Sequence, residues 1–289
     1  MKNITVITDP GIDDLVALLL LYKLSPNKTN TIVSTFGNAT EQLTARNAKE
    51  FITFVAQSWQ FASGSKLPQA GKVECPWPDY FHGPDAVWGV HPDVDTSMVP
   101  TIKQQPNDNQ VVSLAPMTDT LLALTKYKAK TFTIMGGAFE IPGNETDYAE
   151  TNIAFDPDAA AQFFDVCRDV KVQVVPLDVT RQVFWSLEKV KSIPEVDPVS
   201  LWLKKLLLAW FDNYSHEREE DFNLHDPLAV YLHLFPEKAQ WRSSGVKIEQ
   251  AGVKRGQTTF SEKNPICKIA TAVDGRSIAQ DIFALCFLS

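Results

Sequence analysis

The chain has 289 residues, a formal net charge of −8 and 44% hydrophobic residues. That length accommodates one large α/β domain or two small ones around a sizeable core. The negative balance, with no run of Lys and Arg, argues against a nucleic-acid surface and favours a small polar substrate. Cys75, Cys167, Cys267 and Cys286 are far apart and form no Cys-x-x-Cys pair, so reduced, mostly structural thiols are expected rather than a zinc site or a disulfide framework. Met1-Lys2-Asn3 runs straight into a strand-like segment with no small-residue cleavage site, and Leu15 to Leu21 is short of the roughly 20 apolar residues a bilayer span takes. A cytoplasmic protein without a membrane segment is the expectation.

In chain order, short apolar runs alternate with helical patterns. Ile4 to Ile7 precedes a helix from Asp13, and Thr31 to Ser34 precedes a helix from Thr40 to Ser58. Val111 to Leu114 precedes a helix from Asp119, and Phe132 to Met135 and Val172 to Val175 follow. Such alternation predicts βαβ units, and therefore an α/β fold with a mostly parallel central sheet flanked by helices. No linker divides the chain, so residues 1–289 read as a single domain. Leu67 to Val99, rich in proline and tryptophan, reads as an ordered irregular loop able to cover a site, and Val199 to Asp221 reads as a long helix with an aromatic face.

The apolar runs end in polar or glycine-rich residues: Asp9, then Gly37-Asn38, then Ala115-Pro116-Met117-Thr118, then Gly136-Gly137. In a parallel sheet these ends share one rim, where ligands gather. The first of them, Asp9-Pro10-Gly11-Ile12-Asp13-Asp14, is the most informative. It places three carboxylates at a strand-to-helix turn, where the cluster either raises a pKa or recruits a hard cation such as Ca²⁺ or Mg²⁺. The plainer alternative is an N-capped helix with solvated acids. Asn144, Glu150 and Asn152 supply amide and carboxylate groups suited to sugar hydroxyls, with a polar surface loop as the alternative. His225-Asp226-Pro227 sets an imidazole and an acid just ahead of an apolar helix.

Taken together and in this order, these clusters resemble the nucleoside hydrolase family, the inosine-uridine preferring N-ribohydrolases. The opening signature Asp-x-Asp-Pro-Gly-x-Asp-Asp is met from Asp9 to Asp14. Gly37-Asn38, Met135-Gly136-Gly137, Asn144 with Ala149 to Asn152, and His225 to Pro227 match the later motifs. The resemblance implies the family's Rossmann-like open sheet and calcium-dependent hydrolysis of ribonucleosides to ribose and free base. By it, Asp9, Asp14, Asp226 and the backbone carbonyl of Thr118 hold one Ca²⁺, with Asp9 also the general base on water acidified by the ion. Asp13, Asn38, Asn144, Glu150 and Asn152 hold the ribose, and Met135 packs beside it. Gripping the sugar favours an oxocarbenium-like transition state.

His225 is the first candidate for protonating the departing base, and His82 in the irregular loop is the second, a solvent-facing histidine being its alternative. Trp210 and Tyr214, four residues apart, share a helix face and are candidates to contact the base, with core packing the alternative for Trp210. The presence of His225 points to a pyrimidine-preferring or broad enzyme, and the resemblance to a homodimer or homotetramer.

Three positions depart from the family pattern. Ile7 stands where the signature opens with Asp, Asp119 where Asn follows the threonine, and Thr151 where an aromatic residue separates Glu150 from Asn152. These departures motivate a second reading, a catalytically impaired nucleoside- or ribose-binding protein of the same fold.

Overall fold

A computed structural model describes residues 3–72, 77–103, 109–215, 220–263 and 266–288; Cys75 lies outside them. In chain order the first half contains β1 (Thr5–Thr8), α1 (Ile12–Leu24), β2 (Thr31–Ser34), α2 (Glu41–Phe54), β3 (Gln60–Ser63), α3 (Asp79–His82), β4 (Gln110–Ser113), α4 (Thr118–Thr125) and β5 (Thr131–Met135). There follow α5 (Thr151–Phe155), α6 (Pro157–Val166), β6 (Lys171–Val175), α7 (Leu177–Thr180), β7 (Phe184–Trp185), α8 (Leu187–Lys191) and α9 (Pro198–Asn213). The chain ends with β8 (Phe222–Asn223), α10 (His225–Leu234), β9 (Ala239–Ile248), β10 (Thr258–Ser261), β11 (Cys267–Val273) and α11 (Gly275–Phe287).

One nine-stranded sheet has the order β10-β9-β11-β6-β5-β4-β1-β2-β3. From β11 to β3 neighbouring strands pair parallel, and β9 pairs antiparallel with both β11 and β10. The chain leaves β1 toward β2 and β3, then returns to lay β4 on the other side of β1. That reversal opens a crevice beyond the carboxyl ends of β1 and β4, where a doubly wound sheet binds its ligand.

Each sheet face carries its own apolar cluster. Val6 belongs to one with Leu15, Leu203, Leu228 and Ile282, and Ile7 to the other with Val33, Phe132 and Phe163, as the two-residue period of a strand requires. α1 is buried at every position from Ile12 to Leu21, enclosed by α9, α10 and α11. A helix covered on all sides needs no polar stripe, which explains its continuous run of apolar residues.

The observed strands agree with the expected apolar runs to within a residue at either end. The helix expected from Thr40 to Ser58 stops at Phe54. There the amide of Ala56 bonds back to the Phe51 carbonyl and Trp59 turns inward, fully buried against Phe51 and Tyr22, before the chain enters β3. The long helix expected from Val199 to Asp221 begins at Pro198 behind the Asp197 cap and ends at Asn213. Of the rest of the expected helix, residues 216–219 lie outside the described residues, and Glu220 and Asp221 are not helical. The described residues between Leu67 and Val99 are irregular as expected, apart from the single turn α3 and a 3₁₀ turn at Thr96–Met98.

Asp156, 1% exposed, ties three segments together. Its carboxylate caps α6 by accepting from the amide of Ala159, and it also accepts from the amide of Gln69 at 2.8 Å and the hydroxyl of Thr118 at 2.5 Å. Replacing it with Ala strands those donors and removes a helix cap. The expected loss is about 2–4 kcal/mol of unfolding free energy, read as a lower denaturant midpoint at constant slope. A change below about 0.5 kcal/mol, the range of ordinary surface substitutions, would contradict the role given to this residue.

Candidate active site

The first turns of α1 and α10 meet at the end of β1. α1 supplies Asp13 and Asp14, α10 supplies Asp226, and Asp9 leaves β1 just before the Pro10-Gly11 turn. Two helix N-termini favour negative charge there. Carboxylate oxygens of Asp13, Asp14 and Asp226 all lie within 4.8 Å of one another. Asp14 accepts from the Thr8 hydroxyl, from the Gly11 amide at 3.0 Å and from Asn38 Nδ2 at 3.0 Å. Asp9 Oδ2 accepts from the Asn38 amide at 2.6 Å. A Cβ on Gly37 would stand 1.8 Å from that same oxygen, so the approach of this loop to Asp9 requires glycine.

Burial pushes the Asp9 and Asp226 carboxyls well above the ordinary aspartate range, and neighbouring carboxylates push them further. Burial, followed by the charge of Asp14, raises Asp13 to about 8. Asp14 is also raised by burial, against the hydrogen bonds from Thr8 and Gly11. Asp9 Oδ1 is buried and has no hydrogen-bond partner among the described residues. An all-oxygen donor set that repels itself, with one buried oxygen unsatisfied, fits a hard divalent cation.

Beside this cluster is a cavity of about 390 Å³ lined by Asp13, Asn38, Met135, Asn144, Glu150, Asn152, His82, Tyr214, His225 and Asp226, all ten singled out in the sequence. The amides are oriented by their bonds. Asn152 Nδ2 donates to the carbonyls of Leu114 and Met135, and Asn38 Nδ2 to the Asp9 carbonyl and Asp14, so each has an Oδ1 acceptor with no partner among the described residues. Asn144 Oδ1 accepts from the Thr151 amide, which leaves its Nδ2 as a donor. Glu150 caps α5 and accepts three backbone amides, yet burial still raises it to about 7.

Asp9, Asp14 and Thr118 do not line the cavity. The two acids are buried beside it, and the Thr118 side chain is committed to Asp156. Trp210, expected as a base contact, is instead a core residue, 1% exposed among Phe81, Phe211, Phe222 and Tyr214. Periodicity placed it on the face of Tyr214, but that face is buried one turn earlier. His82, which could have faced solvent, is 5% exposed.

Burial lowers both imidazoles, His82 to about 3 with help from His225, and His225 to about 4 with help from the Arg181 charge. Each is therefore neutral at pH 7 and acts as a hydrogen-bonding group rather than as a charged acid. Sequence reasoning missed Tyr80, Phe81, Arg181, Glu220 and Asn223, which also line the cavity. They come from single turns, loops and the two-residue β8, with no periodicity to expose them.

The departures from the family pattern find places. Ile7 packs among Val33, Ala115 and Ile134. Asp119 accepts from the Ser65 amide at 2.8 Å, and Thr151 lines the cavity.

A parallel-sheet enzyme with a buried acidic cation site opening on a polar cavity is the class this geometry defines. Residues 4–280 match the family model described as inosine-uridine preferring nucleoside hydrolase, and the chain belongs to that family, whose members hydrolyse the N-glycosidic bond of ribonucleosides. It is 28% identical over 279 residues to a probable uridine nucleosidase 2 of Oryza sativa subsp. japonica, covering 90% of this chain and 82% of the relative. It is 27% identical over 303 residues to a non-specific ribonucleoside hydrolase of Salmonella agona, covering 96% of each. Among solved structures, a plant nucleoside hydrolase superposes with a TM-score of 0.88 at 23% identity over 100% of this chain and 99% of that one. An inosine-guanosine nucleoside hydrolase superposes with a TM-score of 0.86 at 21% identity over 100% of each.

A divalent cation competes with protons for these carboxylates, so its effect on stability has a defined sign. Raised folded-state pKa values make the metal-free protein lose stability as pH rises from about 4 toward 8. Saturating cation should raise Tm by several degrees at pH 8 and progressively less toward pH 5, in a thermal scan with and without chelator. A Tm indifferent to the cation at pH 8 would contradict the site.

Proposed function

We propose that the protein is a calcium-dependent ribonucleoside hydrolase of nucleoside salvage, pyrimidine-preferring or broad, releasing ribose and free base. The observation that carries the reading is the unsatisfied buried Asp9 Oδ1 beside the Asp13, Asp14 and Asp226 carboxylates, next to a cavity of amide acceptors. Asp9, Asp14, Asp226 and the carbonyl of Thr118 are the groups assigned to one calcium ion, since oxygen donors of this number and charge suit it better than softer metals. When bound, the ion acidifies water and anchors ribose hydroxyls.

The chain's own groups do the rest. Asp9 takes a proton from the attacking water. Asp13 and the Oδ1 atoms of Asn38 and Asn152 accept from ribose hydroxyls, Asn144 donates to one, and Glu150 and Met135 bound the sugar. Fixed negative charge beside a ring that becomes oxocarbenium-like stabilises the transition state more than the ground state. Tyr214 flanks the base, and His225, with His82, hydrogen-bonds it as it leaves.

Ile7 removes the signature's first carboxylate but leaves Asp9, Asp14 and Asp226 in place, and Thr8 on the opposite face of β1 supports Asp14. That supports a working enzyme over an impaired binding protein. The rice relative, named a probable uridine nucleosidase, and the Salmonella relative, named non-specific, support the pyrimidine or broad range. A cytoplasmic homodimer or homotetramer completes the proposal.

Reducing-sugar release from uridine, cytidine, inosine and adenosine, in calcium and in chelator after dialysis, tests the reading. Calcium-dependent release from uridine is expected, and no release from any of the four with calcium bound would overturn it. Asp9→Ala should remove nearly all turnover while the fold is retained. His225→Ala should reduce kcat/KM on uridine by about 100-fold or more and spare p-nitrophenyl riboside, whose leaving group needs no proton. Equal losses on both substrates would remove His225 from the leaving-group role.

A further inference from the structure

We infer that Thr180 is a positioning residue whose hydroxyl fixes the tautomer of His225, so that the imidazole offers Nε2–H to the leaving base. The inference rests on the proposed leaving-group role of His225 and goes beyond it. Thr180 closes α7 and is completely buried, and its Oγ1 lies 2.7 Å from His225 Nδ1. Among the described residues that hydroxyl has no other side-chain bond.

Two directions are open to this bond, and burial separates them. If Nδ1–H donated to Oγ1, the hydroxyl proton would be left in a dry site without an acceptor, at a cost of about 1–3 kcal/mol. If the hydroxyl donates to Nδ1, every donor is used and only lone pairs go unmatched, which buried sites tolerate better. The neutral ring then carries its proton on Nε2. His225 lines the cavity and Thr180 does not, so the proton-bearing edge is the one available to a ligand.

His82 arrives at the same tautomer by a separate route. Its Nδ1 lies 3.3 Å from the backbone amide of Ile12, a group that can only donate. The cavity therefore holds two imidazole N–H donors of matched tautomer, fixed from α7 and from the start of α1. A departing base, which gains electron density as the N-glycosidic bond breaks, is the ligand that such donors stabilise.

The experiment compares the parent with Thr180→Val, which keeps the shape and removes the hydroxyl, and Thr180→Ser, which keeps it. kcat/KM is measured on uridine and on p-nitrophenyl riboside in calcium. In parallel, long-range proton–nitrogen NMR on histidine-labelled protein reads the tautomer without reference to activity. The parent and the serine variant should show the Nε2–H pattern for His225, and the valine variant a mixture of tautomers. Thr180→Val should lose about 10- to 100-fold on uridine and less than about threefold on p-nitrophenyl riboside, with Thr180→Ser within about threefold of the parent on both.

An Nδ1–H pattern in the parent overturns the inference even if the valine variant fails to fold. A valine variant with unchanged tautomer and rates overturns it as well. Equal losses on both substrates in His225→Ala would instead sink the leaving-group reading, with the NMR result still deciding what Thr180 does to the ring.

Discussion

Holding four aspartates in one water-poor corner is the constraint on which the rest of this molecule depends. Among Asp13, Asp14 and Asp226, whose carboxylate oxygens lie within 4.8 Å of one another, each ionised pair costs on the order of 3–4 kcal/mol at an effective dielectric near 20, and burial adds a desolvation penalty to each acid. A domain of ordinary stability cannot carry that load unpaired. The protein must keep some of these acids protonated, as their raised pKa values imply, or place a cation among them. The unsatisfied oxygen of Asp9 favours the cation.

The fold itself supplies that corner. Chain reversal around β1 opens the crevice, and the N-termini of α1 and α10 bring partial positive charge to it. α1 can be apolar from Leu15 to Leu21 because three helices enclose it, with its acids confined to the first turn. Glycines 11 and 37 permit the close approach. A Cβ on Gly11 would meet Asn38 Nδ2 at 2.7 Å and His82 Nδ1 at 2.8 Å, while one on Gly37 would overlap Asp9. The loop carrying His82 is secured to the same corner, since Asn47 Nδ2 donates both to the Pro10 carbonyl and to that of Asp85. Acid cluster, cavity-lining amides and imidazole pair are thus parts of one packed unit.

Much of this was legible in the sequence because strand ends in a parallel sheet share one rim. Asp9, Asn38, Met135, Asn152 and Asp226 follow that rule or start the helices that answer it. Legibility failed where no periodic signal exists. β9 alternates poorly across Ala239–Ile248, with polar residues on both faces of an outer strand, and it was not anticipated. β3 is a four-residue edge strand hidden behind an overextended helix. Arg181, Glu220 and Asn223 reach the cavity from the end of a one-turn helix, a short connection and the two-residue β8, where neither spacing nor composition marks them. Trp210 shows the converse failure: a helical stripe tells which residues share a face, but not where along the helix that face passes from core to cavity.

The most direct test of the central claim is whether the cation and the sugar occupy one site. Equilibrium binding of calcium to the metal-free protein would be measured with and without saturating ribose. One ion per chain should bind, and ribose should tighten it, because ribose hydroxyls would add oxygen ligands to the ion, and that coupling acts on both affinities by the same factor. Absence of calcium binding, or calcium binding indifferent to ribose, would contradict the account.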